Sequence, residues 1–246
     1  MGAARGTCAN RNRCRAITTR ARYRQRNGGR QLTARYTETV VVQVLKVAEA
    51  DFPTRFGHFR IYGFREDAAS LPEGIEPEEI IAVVMGPLAG TPPLLRIHSQ
   101  CLTGDVFHSL RCDCRAQLDI ALTSIAREGR GLLIYELQEG RGIGLLNKLR
   151  AYELQDQGAD TIEANQKLGF DSDLRNYELP GAILRFFGLK AIRLMSNNPE
   201  KVEAVERAGV QVVERVPCLA DVLDTRLAYL RTKREKMGHL LEFDDL

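Results

Sequence analysis

Two hydrophobic periods divide this chain, and their order limits what it can fold into. Up to Ile97 the texture is strand-like. Residues 39–47 are rich in β-branched side chains, and 56–64 alternate apolar and polar positions around Gly57 and Gly63. Residues 80–85 and 94–98 are short apolar runs, with a Pro- and Glu-containing loop over 71–79. After Cys114 the period lengthens. Leu118, Ala121, Leu122, Ile125 and Ala126 make a helical stripe closed by Gly129, and 132–135 is a short buried strand. Leu145, Leu146, Leu149, Tyr152 and Leu154 mark a second helix ended by Gly158. Asp160 and Glu163 have capping-box spacing ahead of a short one. The stretch 180–188 places Pro180 at a first helical position and Gly188 at the stop. Residues 191–195 form a strand, and a helix runs from Asn198-Pro199 to Ala208 with Gly209 behind it. One more strand covers 210–213, and 221–241 reads as a basic amphipathic helix. Strands alternating with helices predict an α/β fold: a mixed, partly parallel sheet flanked by helices, with a strand-rich N-terminal half.

At 246 residues the chain is long enough to bury a core without disulfides or metal. It has no apolar run of the roughly 18 residues that a membrane helix needs, and no apolar stretch follows its basic N-terminus as in a secretory signal. A cytoplasmic protein is expected. The net charge of +3 is unevenly placed. Arg5, Arg11, Arg13, Arg15, Arg20, Arg22, Arg24, Arg26, Arg30 and Arg35 stand in a stretch without a single acid. Residues 1–37 read as a disordered extension and 38–246 as one catalytic domain. A nucleic-acid-binding arm is the sharper alternative for the tail, but only Tyr23 and Tyr36 offer aromatic rings there, so nucleic acid is not the expected partner.

Of the 6 cysteines, three cluster: Cys101, Cys112 and Cys114. In a cytoplasmic chain such clustering points to metal rather than disulfides. Thiolates bind zinc at about 2.3 Å, and three of them leave one tetrahedral position. Water there marks a catalytic zinc; His98 or His108 there would close a structural site. Cys8 and Cys14 lack a partner pair, and Cys218 reads as a small buried hydrophobe.

Several local patterns, in this order, resemble GTP cyclohydrolase II. They are HSQCLTGD from His98, LRCDC from Leu110, QEGRGIGL from Gln138, NKLRAY from Asn147, DQGADT from Asp156, LGF from Leu168, DLR from Asp173 and NNP from Asn197. The resemblance spans roughly residues 45 to 241. It implies a zinc held by Cys101, Cys112 and Cys114. It also implies a GTP site of Arg96, Ile97, His98, Ser99, Gln100, Gln117, Glu139, Gly140, Arg141, Thr161, Ser196 and Lys201. By the same resemblance Asp173 is a proton acceptor, Arg175 is the position proposed as nucleophile toward the α-phosphorus, and Tyr152 lies close to the reacting water. Magnesium on the triphosphate and a homodimer follow from the family as well. The implied reaction is hydrolysis of GTP with loss of formate and pyrophosphate. Its product is 2,5-diamino-6-(5-phosphoribosylamino)pyrimidin-4(3H)-one, in the first step of riboflavin biosynthesis. No synthase domain precedes the matched region, so a stand-alone form is expected.

The residues make chemical sense of that reaction. Opening an aromatic imidazole at neutral pH needs water activated well below its bulk pKa, which zinc supplies. A glycine-spaced loop ahead of a helix, with Arg141 in it, suits phosphate oxygens, although the same pattern also serves as an ordinary turn. Lys201 in a first helical turn could meet a phosphate or simply lie in solvent. Tyr152 could donate a proton or merely pack. Arg175 stays protonated, so stabilising charge on the phosphorus rivals the nucleophile role. The chain departs from the family pattern at Gln100, where Glu is usual, at Arg115, where Gly is common, and at Ser196, which replaces Thr. Gln100 and Ser196 leave one alternative, a paralogue with another product or substrate, and the Arg-rich tail leaves another, a zinc-stabilised nucleotide-binding or nucleic-acid-binding module without turnover.

Overall fold

A computed structural model describes residues 42–71, 74–171, 173–220, 234 and 238. The expectations for the Arg-rich extension and for a helix over 221–241 therefore lie outside the described residues, apart from single positions. Seven strands form one sheet in the order β1-β2-β3-β5-β4-β6-β7. They are β1 (Val44–Thr54), β2 (Gly57–Glu66), β3 (Glu79–Met85), β4 (Leu94–Ser99), β5 (Gly131–Glu136), β6 (Ala191–Met195) and β7 (Gln211–Val216). Pairing is antiparallel from β1 through β2 and β3 to β5, and parallel from β5 through β4 and β6 to β7. The expected mixed α/β sheet is what forms.

The central strands read as unbroken apolar runs because both faces are covered. Ala82, Val84, Leu95, Ile97, Leu132 and Ile134 point into one core, closed by α4 (Glu178–Phe186) and by Val205 of α5 (Pro199–Arg207). Val83, Leu94 and Leu133, one residue out of phase, point into the other, where Ala121 and Ile125 of α1 (Cys114–Glu128) pack with Cys218. The stripe read from the sequence, Leu118 to Ala126, is the face of α1 that meets the sheet. Gly129 ends that helix at φ 67°, a conformation that suits glycine.

Three expectations shift. The first strand of the described residues runs over Val44–Thr54, overlapping the expected 39–47 at its start and continuing to the tight turn that pairs Thr54 with Gly57; residues 39–41 lie outside the described residues. Lys46 on this strand and Arg60 on β2 both pair with Glu49, while Leu45, Val47 and Phe52 stand exposed, so exposed apolar and polar residues are mixed along it. Pro180 is the third residue of α4, not the first; its missing N–H has no intrahelical acceptor in the first turn, so the helix tolerates it. The last strand runs over Gln211–Val216, one residue later at its start and three at its end than 210–213. The capping box at Asp160 and Glu163 forms reciprocally at the start of α3 (Thr161–Lys167).

The topology also decides where a ligand can sit. From β4 the chain crosses through α1 to β5 on one side; from β6 it crosses through α5 to β7 on the other. β4 and β6 are neighbours, so the two connections diverge and leave a crevice beyond the strand ends at Ser99 and Met195. Open α/β sheets bind ligands at such a switch point.

Candidate active site

The cysteine cluster is built where β4 ends. Cys101 caps a wide turn over Leu102–Val106, and its Sγ accepts from the Gly104 amide at 3.4 Å. Cys114 is the first residue of α1, whose N-terminal amides favour a thiolate. The three sulfurs lie within 4.8 Å of one another, with Cys101 and Cys112 3.7 Å apart. Sulfurs at about 2.3 Å on one tetrahedral ion stand roughly 3.8 Å apart. Gly104 leaves the room the sulfurs need: a Cβ there would lie 2.9 Å from Cys112 Sγ and 3.1 Å from Cys101 Sγ. Hydrogen bonds from its two sulfur neighbours hold the Cys101 thiol far below its ordinary range. The contact with Cys101 pushes Cys112 up to about 11, and contacts with both other sulfurs, with burial, push Cys114 upward. Three sulfurs this close all ionise only with a cation among them, so the donor set fits a thiophilic metal.

Among the described residues no His, Asp or Glu joins the three cysteines. His98, one candidate for closing the site, is turned away. Its Nε2 lies 3.2 Å from both oxygens of Asp105, and its ring stacks on Tyr135. His108, the other, is exposed at φ 56°. Asp105 also accepts from the Cys101 amide at 3.0 Å and from the Tyr135 hydroxyl at 2.8 Å, which ties the cysteine turn to β5. The Lys148 ammonium, on α2 (Leu145–Asp156), stands 3.1 Å from Cys101 Sγ and 2.7 Å from Glu139. Neither Asp105 nor Lys148 is assigned a role on sequence grounds. Both occur in the quoted patterns, and a buried charge next to a ligand is visible only in three dimensions.

A cavity of ≈ 450 Å³ opens at the switch point, within the range of small-molecule and cofactor sites. Of the residues the resemblance implies, it is lined by Arg96, His98, Ser99, Gln100, Gln117, Glu139, Gly140, Arg141, Tyr152, Thr161, Arg175, Ser196 and Lys201, together with the three cysteines. Ile97 and Asp173 are not on the wall: the Ile97 side chain is in the core, and Asp173 stands behind Arg175. Arg96 is braced by Gln117 Oε1 at 2.6 Å and by the Met195 carbonyl at 3.0 Å. Arg175 is gripped by Asp173 through two nitrogens, with Nε 2.9 Å from Oδ1. Burial works to raise Asp173, but those contacts hold it below its ordinary range. Lys201 is buried and donates to the Ile97 carbonyl at 2.9 Å, so it is not the solvated lysine that its place in a first helical turn allows. Glu139 accepts from Lys148 and the Leu102 amide, fastening its loop to the cysteine turn. The Tyr152 hydroxyl lies 3.3 Å from Thr103 Oγ1, the Arg111 guanidinium covers its ring at 4.7 Å, and burial raises its pKa.

The Gly104 contacts give a direct test. Gly104→Ala pushes a methyl group against two of the sulfurs, and zinc affinity in a chelator competition falls by about 10- to 100-fold, the size of effect seen when the support of a metal ligand is disturbed. Unchanged affinity would show that the turn has slack the geometry does not suggest.

A cation-lined cavity at the switch point of an α/β sheet, walled on one side by a cysteine cluster, is a site suited to an anionic ligand at the carboxyl ends of the strands. The model of one family, GTP cyclohydrolase II, matches residues 45–217. The GTP cyclohydrolase-2 of Yersinia pseudotuberculosis serotype I (strain IP32953) is 51% identical over 201 residues, which is 81% of this chain and 99% of that protein. The GTP cyclohydrolase-2 of Proteus mirabilis (strain HI4320) is 50% identical over 201 residues, 81% of this chain and 98% of its own. That of Escherichia coli (strain K12 / DH10B) is 51% identical over the same length, covering 81% and 99%. This chain belongs to the GTP cyclohydrolase II family and is a hydrolase of that class.

Proposed function

We propose that the protein hydrolyses GTP, opening the guanine imidazole ring with release of formate and pyrophosphate to give 2,5-diamino-6-(5-phosphoribosylamino)pyrimidin-4(3H)-one, the first step of riboflavin biosynthesis. The observation that carries this reading is the position of the cysteine cluster in the wall of a nucleotide-sized cavity whose other walls carry Arg96, Arg141, Arg175 and Lys201. Cys101, Cys112 and Cys114 would hold zinc. Bound there, zinc supplies Lewis-acid activation of water at neutral pH.

The protein's own side chains do the rest. Tyr152 holds a proton on its hydroxyl at the cavity wall, since burial keeps it neutral, and can donate it to nitrogen 9 as the bond from carbon 8 breaks. Gln100, His98 and Gln117 offer the hydrogen-bonding groups that a purine edge requires. Arg141, Arg175 and Lys201 would meet the phosphates, and magnesium brought with the nucleotide would supply further charge neutralisation there. Asp173 keeps the Arg175 guanidinium aimed at the α-phosphorus and neutralises it until substrate arrives. A cytoplasmic homodimer is part of the same reading; among the described residues no helix is long and apolar enough to cross a membrane.

Formate and pyrophosphate measured after incubating the zinc- and magnesium-loaded protein with GTP test the reading. GTP left intact, with no formate, overturns it. Gln100, which lines the cavity where the family usually carries a carboxylate, favours one other outcome, a product that retains the formyl carbon. The product's mass separates the two.

A further inference from the structure

Two strands end side by side at the cavity, and the alternation that sends Ile97 and Ile134 into the core brings Ser99 and Glu136 to the same face one step later. Glu136 is 1% exposed, and no role falls to it in the reading above. Its Oε2 accepts from the Ser99 hydroxyl at 2.9 Å, while Oε1 is buried without a hydrogen-bond partner. Ser99 Oγ in turn receives Arg175 Nη1 at 3.2 Å and Lys201 Nζ at 3.3 Å. A hydroxyl has one proton and two lone pairs. With both lone pairs turned to cations, the proton has only Glu136 to go to. The carboxylate therefore fixes the rotation of the hydroxyl, and the hydroxyl fixes where the two cations meet. Lys201 Nζ is itself 3.9 Å from Glu136 Oε2. The Tyr177 ring completes the cluster, 5.4 Å from the Arg175 guanidinium carbon and 5.2 Å from Lys201 Nζ.

We propose that Glu136 is a positioning residue for the phosphate-binding edge of the cavity. Through the Ser99 hydroxyl it sets the direction of Arg175 and Lys201, and it supplies the charge that lets both stand there before an anion arrives. A buried carboxylate beside buried cations is costly unless its charge is used in this way. The assignment rests on the reading of the cavity as a nucleoside triphosphate site.

The charge argument has a pH signature. Lys201 is lowered to about 7, first by burial. The groups facing it are Glu136 from β5 and Asp173, which raise it, Arg175 and Arg96, which lower it, and the neutral Tyr177 ring at the start of α4. A lysine binds anions below its pKa. Removing Glu136 lowers that pKa further, so the loss of phosphate affinity grows as pH rises from 6 to 8.

The test uses the full zinc- and magnesium-loaded chain with inorganic pyrophosphate as probe, titrated calorimetrically from pH 6 to 8, alongside KM and kcat for GTP. E136Q is expected to weaken pyrophosphate by about tenfold or more at pH 7.5 and by less at pH 6, as truncating one partner of a buried charge network does. KM rises more than kcat falls, and zinc content is unchanged. S99A, which breaks the relay and leaves the charge, weakens pyrophosphate without moving the pH limb. E136Q that binds pyrophosphate as the wild type does at every pH overturns the proposal. If E136Q does not fold, S99A decides alone, and wild-type affinity in S99A overturns it. A wild-type protein that releases no formate from GTP sinks the proposed function, while the pyrophosphate series still decides the role of Glu136.

Discussion

On the proposed function, Cys101→Ser is expected to lower bound zinc well below one per chain and to cut formate release from GTP by about 10³-fold, the several kcal/mol that metal activation of water supplies. Serine is nearly isosteric but is a hard, protonated oxygen where a soft thiolate is needed. The loss is specific because the rest of the cavity is left standing. Cys101 Sγ accepts only from Gly104 N and Lys148 Nζ outside the sulfur cluster and Thr103, and Asp105 still holds the Cys101 amide. Arg96, Arg175 and Lys201 take their partners from β4, β6, Asp173 and Gln117 of α1, and none of these contacts involves the Cys101 side chain. Pyrophosphate therefore binds the variant within a fewfold of wild type. Metal analysis after chelator dialysis, read with formate release, checks both halves. A variant that keeps its zinc and its formate release would show that the three sulfurs are not the catalytic metal site.

Arg141→Met is expected to act in opposite directions on affinity and stability. Both terminal nitrogens of Arg141 are buried and have no hydrogen-bond partner, in a loop where Gly140 and Arg141 stand at φ 61° and 60°. The loop is held in place by the next segment: the Leu174 amide donates to the Arg141 carbonyl at 3.0 Å, and a Cβ on Gly142 would press on Leu174 at 3.1 Å. A guanidinium kept from water without a hydrogen-bond partner is destabilising, even with the Asp173 carboxylate in electrostatic range, and strain of this kind collects where a ligand repays it. Methionine fills much of the same space, keeps the backbone strain and removes the charge. The KM for GTP rises by about 10²-fold or more, matching the 2–5 kcal/mol cost of truncating one side of a buried charge pair. The ligand-free protein melts at a higher temperature. Steady-state kinetics and a thermal melt on one preparation are sufficient, and a fall in melting temperature would mean that the protein itself holds the guanidinium.

Much of this site is legible before folding. The sulfur triad is a spacing signal, the capping box at Asp160 is local chemistry, and the stripe on α1 is a period. Glu136, Asp105 and Lys148 are not legible in that way. In one dimension Glu136 is an acid after an apolar strand, and Lys148 a lysine on a mixed helix. Lys201 shows the limit most clearly. A lysine in the first turn of a helix is ordinarily solvated, yet here it is 5% exposed, because its ammonium reaches the Ile97 carbonyl at the end of β4. Gly104 carries a signal that could have been read: a glycine between metal-binding cysteines often marks a place where a side chain would collide with them.

From the order of its residues alone, the chain settles which segments become most of the strands and helices, and which sulfurs can share an ion, but not every boundary: the first and last strands run past their expected ends. Those outcomes depend on side-chain period, caps and short spacings, and neighbours along the chain are enough to decide them. Tertiary structure alone decides that β4 lies between β5 and β6, that the crossovers diverge there, and that Arg96, Glu136, Arg175 and Lys201 meet in one crevice. Those contacts join residues far apart in sequence, and only burial of both sheet faces selects the strand order that brings them together.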